Sequence, residues 1–288
     1  MSGWDPSRLT VYIDGKYVSG AEATVPIWDH GLLYGDGIFE GMRCFDGALF
    51  RPHDHMARLG RSARSLGLNM PLGPDEIIDV ICEVIRRSEL RDAHVRPMVT
   101  RGVGMPGIDP TRCPDQTMIV AAYPFPPLLG DAPIRLLTSS VVRKAPRSVG
   151  AHIKSLNYLD GVIAKRQANA AGMNDAIMLD QQGAVAECTG ANVFAFFDGV
   201  LTTPTTRAAL PGITRRTIIE IAHEQGIPVE EREIYPMELY LANGAFITGS
   251  GAGVVAIAEI DGNPIASSAH PQAQALRDGY RVRTRDTR

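Results

Sequence analysis

Four Asp-Gly pairs, Asp14-Gly15, Asp46-Gly47, Asp198-Gly199 and Asp261-Gly262, each stand between two β-rich runs. A two-residue primed turn needs positive φ at its centre, which Gly adopts without a Cβ clash, so each pair predicts a tight hairpin. The hairpins join Val11-Tyr12-Ile13 to Tyr17-Val18, and span Met42 to Phe50, Val193 to Thr203 and Ile257 to Ile265. Elsewhere the period is helical. From His53 to Leu66, Met56, Leu59, Ala63 and Leu66 recur at three- and four-residue spacing, and Asp75 to Glu89 repeats the pattern with Ile78, Ile81 and Ile85. Further along come an apolar run at Ile134 to Val142, a helix from about Tyr158 to Ala171 ended by Gly172, and a strand at Ala176 to Leu179. A helix from Thr214 to Gln225 closes with Gly226 at C′. Strands and helices mix without strict βαβ alternation, so the expected fold class is α+β, with mixed or antiparallel sheets.

A chain of 288 residues is about two domains long. The run YPFPPLLGDAP from Tyr123 to Pro133 has four prolines and a Gly and sustains neither helix nor central strand. The expected division is a small N-terminal domain over 1–123, a linker over 124–133 and a larger C-terminal domain over 134–288. The last stretch, Ala266 to Arg288, is small, polar and Arg-rich, and its end is expected to fray.

With 44% apolar residues, 21% charged residues and a net charge of -3, the chain has no electrostatic reason to bind nucleic acid or an anionic membrane. No stretch reaches the roughly 20 apolar residues of a membrane span, and Asp5, Arg8, Asp14 and Lys16 interrupt any secretory leader, so a cytoplasmic location is expected. Cys44, Cys82, Cys113 and Cys188 are scattered, without metal-ligand spacing, and read as reduced, buried thiols with no metal site.

Chemistry concentrates at four places. Of 29 basic residues only Lys16, Lys144, Lys154 and Lys165 are lysine. Lys16 on a hairpin turn, Lys165 among helix charges and Lys144 in an Arg-flanked loop suit solvated positions. Lys154, in His152-Ile153-Lys154-Ser155-Leu156, sits among small and apolar neighbours before a helix, and an amine partly desolvated there is suited to Schiff-base chemistry. Glu187 ends a β-like run in an uncharged stretch and needs a cationic or N–H partner, a role a protonated pyridine nitrogen would fill. Leu210-Pro211-Gly212-Ile213-Thr214-Arg215 is a turn opening a helix, whose first N–H groups suit an anion. Thr248-Gly249-Ser250-Gly251-Ala252-Gly253 resembles a dinucleotide fingerprint, but Val254 to Ile260 reads as strand where that fingerprint must open a helix, so a Rossmann site is rejected. Two anion cradles, a poised lysine and a buried carboxylate together fit pyridoxal phosphate.

Tyr34-Gly35-Asp36-Gly37-Ile38-Phe39-Glu40-Gly41-Met42-Arg43, Lys154 to Leu159, Glu187 to Phe194 and Leu210 to Arg215 resemble, in order, the motifs of the class IV, fold-type IV pyridoxal-phosphate aminotransferases, and most of all the branched-chain amino acid aminotransferases. The resemblance spans roughly Val11 to Ile265. It implies a two-domain enzyme with the cofactor at the domain interface, a homodimer, and ping-pong exchange between an amino acid and a 2-oxo acid. It implies that Lys154 is the lysine that condenses with the cofactor and later shuttles a proton. It further implies that Glu187 pairs with the pyridine nitrogen and Tyr158 with the ring hydroxyl, that Arg58, Ile213, Thr214 and Ser250 hold the phosphate, and that Leu210 packs on the ring. Tyr34, Phe39, Arg43 and Arg96 surround the substrate side chain in this resemblance, with the α-carboxylate against Ser250 and Gly251.

Two departures fall in that pocket: His94 stands where the branched-chain enzymes usually have Tyr, and Gly249 to Gly253 replaces their usual G-T-A-A-E. A D-amino acid or (R)-amine transaminase on the same scaffold therefore remains open. So do a lyase resembling aminodeoxychorismate lyase and a non-catalytic anion-binding module.

Overall fold

The protein is described by a computed structural model covering residues 5–124, 132–266 and 270–285. Its chain divides into two compact units, the first holding the described residues up to 124 together with Ile153–Asn157, the second the remainder.

The first unit contains β1 (Thr10–Ile13), β2 (Lys16–Ser19), α1 (His30–Tyr34), β3 (Gly37–Phe39), β4 (Met42–Phe45), β5 (Ala48–Leu49), α2 (Pro52–Leu66), α3 (Pro74–Arg87), β6 (Ala93–Thr100) and β7 (Thr117–Tyr123). Its sheet runs in the order β2-β1-β7-β6-β4-β5, with β3 also on β6, and every pairing is antiparallel. Both Asp-Gly hairpins form: φ is 44° and 85° at Asp14 and Gly15, and 48° and 86° at Asp46 and Gly47. Met56, Leu59 and Ala63 of α2 and Ile77, Ile81 and Val84 of α3 pack with Met42, Val95 and Val120 of the sheet. In α3 the fully buried row is Ile77, Ile81, Val84 and Ile85, with Ile78 only half-buried.

The lysine segment Ile153–Asn157 belongs to this unit and not, as the expected boundary has it, with residues 134–288. The reason is local pairing. Ser155 bridges Ile38, Phe39 N–H donates to Lys154 O at 3.0 Å, and Leu156 N–H donates to Gly37 O at 2.9 Å. Ile153 packs against the unit's core. Of the expected linker 124–133, residues 125–131 lie outside the described residues.

The second unit contains β8 (Ile134–Thr138), α4 (Leu159–Ala170), β9 (Asp175–Leu179), β10 (Val185–Cys188), β11 (Asn192–Phe197), β12 (Val200–Thr203), α5 (Ile213–Glu224), β13 (Val229–Glu231), α6 (Pro236–Leu239), β14 (Gly244–Gly249), β15 (Gly253–Ile260), β16 (Asn263–Pro264) and α7 (Pro271–Arg285). The order is β10-β9-β8-β15-β14-β11-β12-β13, with β16 on β15. β8 pairs in parallel with β9 and β15, and β12 with β13, while the other pairings are antiparallel, so the sheet is mixed. β15 follows the Gly-rich turn as a strand, consistent with the rejection of a dinucleotide fingerprint.

One expectation is corrected. The apolar run to Val142 is strand only as far as Thr138; beyond it Ser139 Oγ turns to Gln167 Oε1 at 2.7 Å. In the small, polar last stretch α7 forms over Pro271–Arg285, because Ala273, Leu276, Tyr280 and Thr284 recur at three- and four-residue spacing and are buried, and the end expected to fray, 286–288, lies outside the described residues. Gly279 permits that packing: a Cβ there would lie 2.9 Å from Ile221 Cγ2 of α5. No helix among the described residues is long and apolar enough to cross a membrane.

Candidate active site

In the first unit, Phe39 to Arg43 are successive residues with separate tasks. The Phe39 ring has the Lys154 Nζ at 4.4 Å and the Arg96 guanidinium carbon at 4.7 Å from its centroid. A ring face attracts a cation without transferring a proton to or from it. Lys154 is half-buried and its main chain is tied on both sides: N–H donates to Ser62 Oγ at 3.1 Å and O accepts from Phe39.

Glu40 is fully buried. It accepts Arg58 Nε–H at 2.7 Å, Arg58 Nη2–H at 2.8 Å and His55 Nδ1–H at 2.7 Å. Burial alone would push its carboxyl up, but the Arg58 guanidinium, with His55, overrides this and holds it far below the usual carboxylate range. Burial pushes His55 down, so it is a neutral imidazole whose Nδ1 carries the proton, since a carboxylate only accepts.

Gly41 makes room for a neighbour, since a Cβ there would lie 3.2 Å from His94 Nε2. In the β4–β6 register Arg43 faces His94, and in the β3–β6 register Phe39 faces Met98. Alternation along β6 therefore puts Phe39, Arg43, His94 and Arg96 on one face of the sheet. His94 is pushed down to about 4 by burial and then by Arg96, Arg43 and Lys154, so it is uncharged at neutral pH. The Nε atoms of Arg43 and Arg96 are buried and have no acceptor. Two desolvated cationic donors beside a Phe ring can receive an apolar side chain or an anionic one.

In the second unit the buried Glu187 at the end of β10 accepts Arg143 Nη2–H at 2.6 Å, Leu210 N–H at 3.1 Å and Asn192 Nδ2–H at 3.4 Å. Arg143 is a buried partner, which also donates Nη1–H to Asp160 at 2.8 Å. Its main-chain N–H reaches Leu179 O at 2.8 Å, which keeps residue 143 alongside β9. Burial disfavours the Arg143 charge, but Glu187 and Asp160 outweigh it and raise its proton affinity.

Asn192 also donates to Leu210 O at 2.9 Å, tying the turn before α5 to the carboxylate. Gly212 is required there, because a Cβ would lie 2.1 Å from Asn192 Oδ1. Gly212 O accepts the first intrahelical bond, from Arg216, so the N–H groups of Ile213 and Thr214 precede the helix's own ladder. Both residues are buried. Thr248, paired with Asn192 across β11 and β14, has a buried hydroxyl without a partner. Ser250 and Gly251 follow in the half-buried turn that leads to β15.

The remaining predicted residues are less closely grouped. Tyr34 is exposed on α1, where its hydroxyl accepts Gly107 N–H at 2.7 Å. Tyr158 precedes α4 and has the Lys144 Nζ 5.6 Å from its ring centroid. Lys144 is corrected from solvated to half-buried, and burial lowers its pKa. Cys82 is corrected from buried to exposed, while the other three thiols are buried and all four are free. Sequence reasoning missed roles for Glu40, His55, Ser62, Arg143 and Asn192. Glu40 and Asn192 lie inside quoted motifs, so a carboxylate and an amide in otherwise apolar runs were a usable signal.

The amino-transferase class IV family profile matches residues 37–260. A putative branched-chain-amino-acid aminotransferase of Methanocaldococcus jannaschii is 47% identical over 258 residues, 89% of this chain and 90% of the relative. The branched-chain-amino-acid aminotransferase of Escherichia coli K12 is 36% identical over 263 residues, 88% and 85% of the two chains. Among solved structures, the branched-chain aminotransferase of Thermoproteus uzoniensis with norvaline has a TM-score of 0.91 at 34% identity, covering 96% of this chain and 95% of its own. The branched-chain amino acid aminotransferase of Thermobaculum terrenum in its PLP form gives 0.87 at 29% identity, covering 97% and 95%. With a family profile across most of its length and relatives this similar over nearly the whole chain, the protein belongs to the class IV aminotransferases.

Proposed function

We propose that the protein is a pyridoxal-phosphate-dependent transaminase exchanging an amino group between a branched-chain L-amino acid or glutamate and a 2-oxo acid. The observation that carries this is the Lys154 amine, half-buried against the Phe39 ring with its main chain tied to Ser62 and Phe39. The residues fit the cofactor chemically. Arg58 and the first amides of α5 suit a phosphate dianion, and the unpartnered Thr248 hydroxyl has an acceptor to gain. A carboxylate held by Arg143, Asn192 and Leu210 suits a pyridinium.

Pyridoxal phosphate supplies an aldehyde that takes up the amino group and a cationic ring that accepts electrons released at the substrate α-carbon. Lys154 Nζ would take the substrate α-proton and return it. Glu187 would keep the pyridine nitrogen protonated, Tyr158 would bond the ring hydroxyl and Leu210 would pack on the ring. Arg58, Ile213, Thr214 and Ser250 would hold the phosphate. Phe39 receives an aliphatic substrate side chain, Arg43 and Arg96 receive a carboxylate, and neutral His94 adds a polar contact without a third charge. Tyr34 borders the substrate, and the turn at Gly251 takes the α-carboxylate.

The test is the half-reaction of cofactor-loaded enzyme followed by absorbance. L-leucine is expected to convert the bound cofactor to its amine form, whereas D-alanine and (R)-1-phenylethylamine are expected to leave the spectrum unchanged. Conversion by either of the latter alone would overturn the L-branched-chain assignment.

The partner we infer is a second copy of this chain. Leu159, Val162 and Ile163 form an exposed apolar stripe at i, i+3 and i+4 on α4, and Ile27, Trp28 and Leu32 are exposed in the first unit. Apolar surface of this kind marks association, and isologous pairs are the commonest assembly. Light scattering should give twice the chain mass, and Val162→Glu should halve it; a monomeric parent protein would refute the pairing.

A further inference from the structure

One face of α2 carries three buried polar side chains, at positions 55, 58 and 62, in a helix whose other buried residues are apolar. Two of them act on different parts of the expected catalytic centre. Arg58 is clamped by Glu40 through Nε and Nη2, and Ser62 Oγ accepts the main-chain N–H of Lys154. The third, His55, donates to the same Glu40 carboxylate. Four residues separate positions 58 and 62, one helical turn or about 6 Å of rise. The aldehyde and phosphate arms of pyridoxal phosphate leave adjacent carbons of its ring, so their anchors must also be neighbours.

We propose that this face of α2 is a spacer of fixed length between the phosphate anchor and the reactive amine, with Glu40 a positioning residue for Arg58 and Ser62 a positioning residue for Lys154. The proposal rests on the transaminase reading and adds to it residues that touch neither substrate nor cofactor. A purely structural role explains the Glu40 cluster poorly. Two ions taken out of water are seldom more stabilising than apolar side chains of the same volume, so a buried pair by itself argues little for stability. What a two-pronged clamp does confer is orientation: with Nε and Nη2 both committed, the guanidinium plane cannot rotate, and its charge stays aimed in one direction. His55 fixes the carboxylate in turn, and because it is neutral it adds no competing cation. Ser62 does for the lysine backbone what Glu40 does for the arginine head.

The test compares binding of pyridoxal 5′-phosphate with binding of pyridoxal, which lacks the phosphate, by absorbance titration of the full chain freed of cofactor. Glu40→Gln is expected to weaken the phosphorylated ligand about 10- to 100-fold, as for a charged hydrogen-bond pair lost, and to change pyridoxal binding less than about threefold. The 31P resonance of bound phosphate should move with it. Glu40→Asp, which keeps the charge, should recover part of the selectivity. Ser62→Ala is expected to leave the ratio of the two affinities at the parent value while shifting the pH midpoint of the bound cofactor's absorbance. Should Glu40→Gln fail to fold, His55→Gln removes only the outer bond and should still lower the affinity ratio about threefold. Parallel loss of both ligands in the Glu40 or His55 variant, or an unmoved midpoint in Ser62→Ala, overturns the spacer. Lys154→Ala in the same titration separates the two levels: if it keeps the parent spectrum, the transaminase reading itself has failed.

Discussion

Lys154→Ala is expected to abolish the absorbance of covalently bound cofactor and to slow transamination by at least about 10⁴-fold, the scale on which enzymes lose rate when a group acting as both nucleophile and base is removed. The size of the effect follows from the surroundings. Of the other lysines, Lys16 is exposed, Lys165 Nζ donates to Asn174 O, and Lys144 lies by Asp160 and the Tyr158 ring. Stability should change little, because the main-chain bonds from residue 154 to Ser62 and Phe39 survive the substitution. Added methylamine, a small external amine, should restore part of the proton-transfer rate. A variant turning over L-leucine within tenfold of the parent would remove Lys154 from the mechanism.

The second large effect is expected at Glu187. Glu187→Gln leaves one acceptor oxygen where Glu187 uses two, one for Arg143 and the other for Leu210 N–H, and removes the charge that would hold a ring nitrogen protonated. The half-reaction with L-leucine should slow about 10²- to 10³-fold, as when a preorganised electrostatic contact to a developing charge is lost. Arg143 retains Asp160, so stability should fall by less than the ~3–5 kcal/mol of a buried ion pair left with no partner. Stopped-flow absorbance measures the first quantity and urea unfolding the second. Unchanged stopped-flow rates would detach Glu187 from the cofactor whatever happened to stability.

Legibility in the sequence tracked how local each determinant is. The Asp-Gly hairpins were readable because a two-residue turn is decided by its own backbone angles, and all four Asp residues do take positive φ. α2 was readable from its apolar period, and the end of α5 from Gly226, which sits at positive φ. The Glu40 clamp was not, because its partner lies eighteen positions along on another element. Arg143 and Glu187 are forty-four positions apart, and a basic loop residue looks the same in a sequence whether it faces water or a carboxylate. α7 was hidden by its own polarity: four inward residues among arginines and glutamines carry too little apolar contrast to stand out. The motifs of residues 34–43 and 154–159 named the chemistry through resemblance, while the geometry supplied the reason for Phe39, Glu40 and a Gly at 41 that leaves space for His94.

The strand-like segment around Lys154 also sets an order of events during synthesis. Residues 153–157 close the open side of β3, yet the ribosome makes them only after the greater part of the first unit has emerged. Until translation passes residue 157, the Phe39 N–H and the Gly37 C=O form a bare sheet edge of the kind that invites wrong pairing. Lys154 arrives with the last described piece of the unit, so a nascent chain too short to contain that piece does not yet carry this amine.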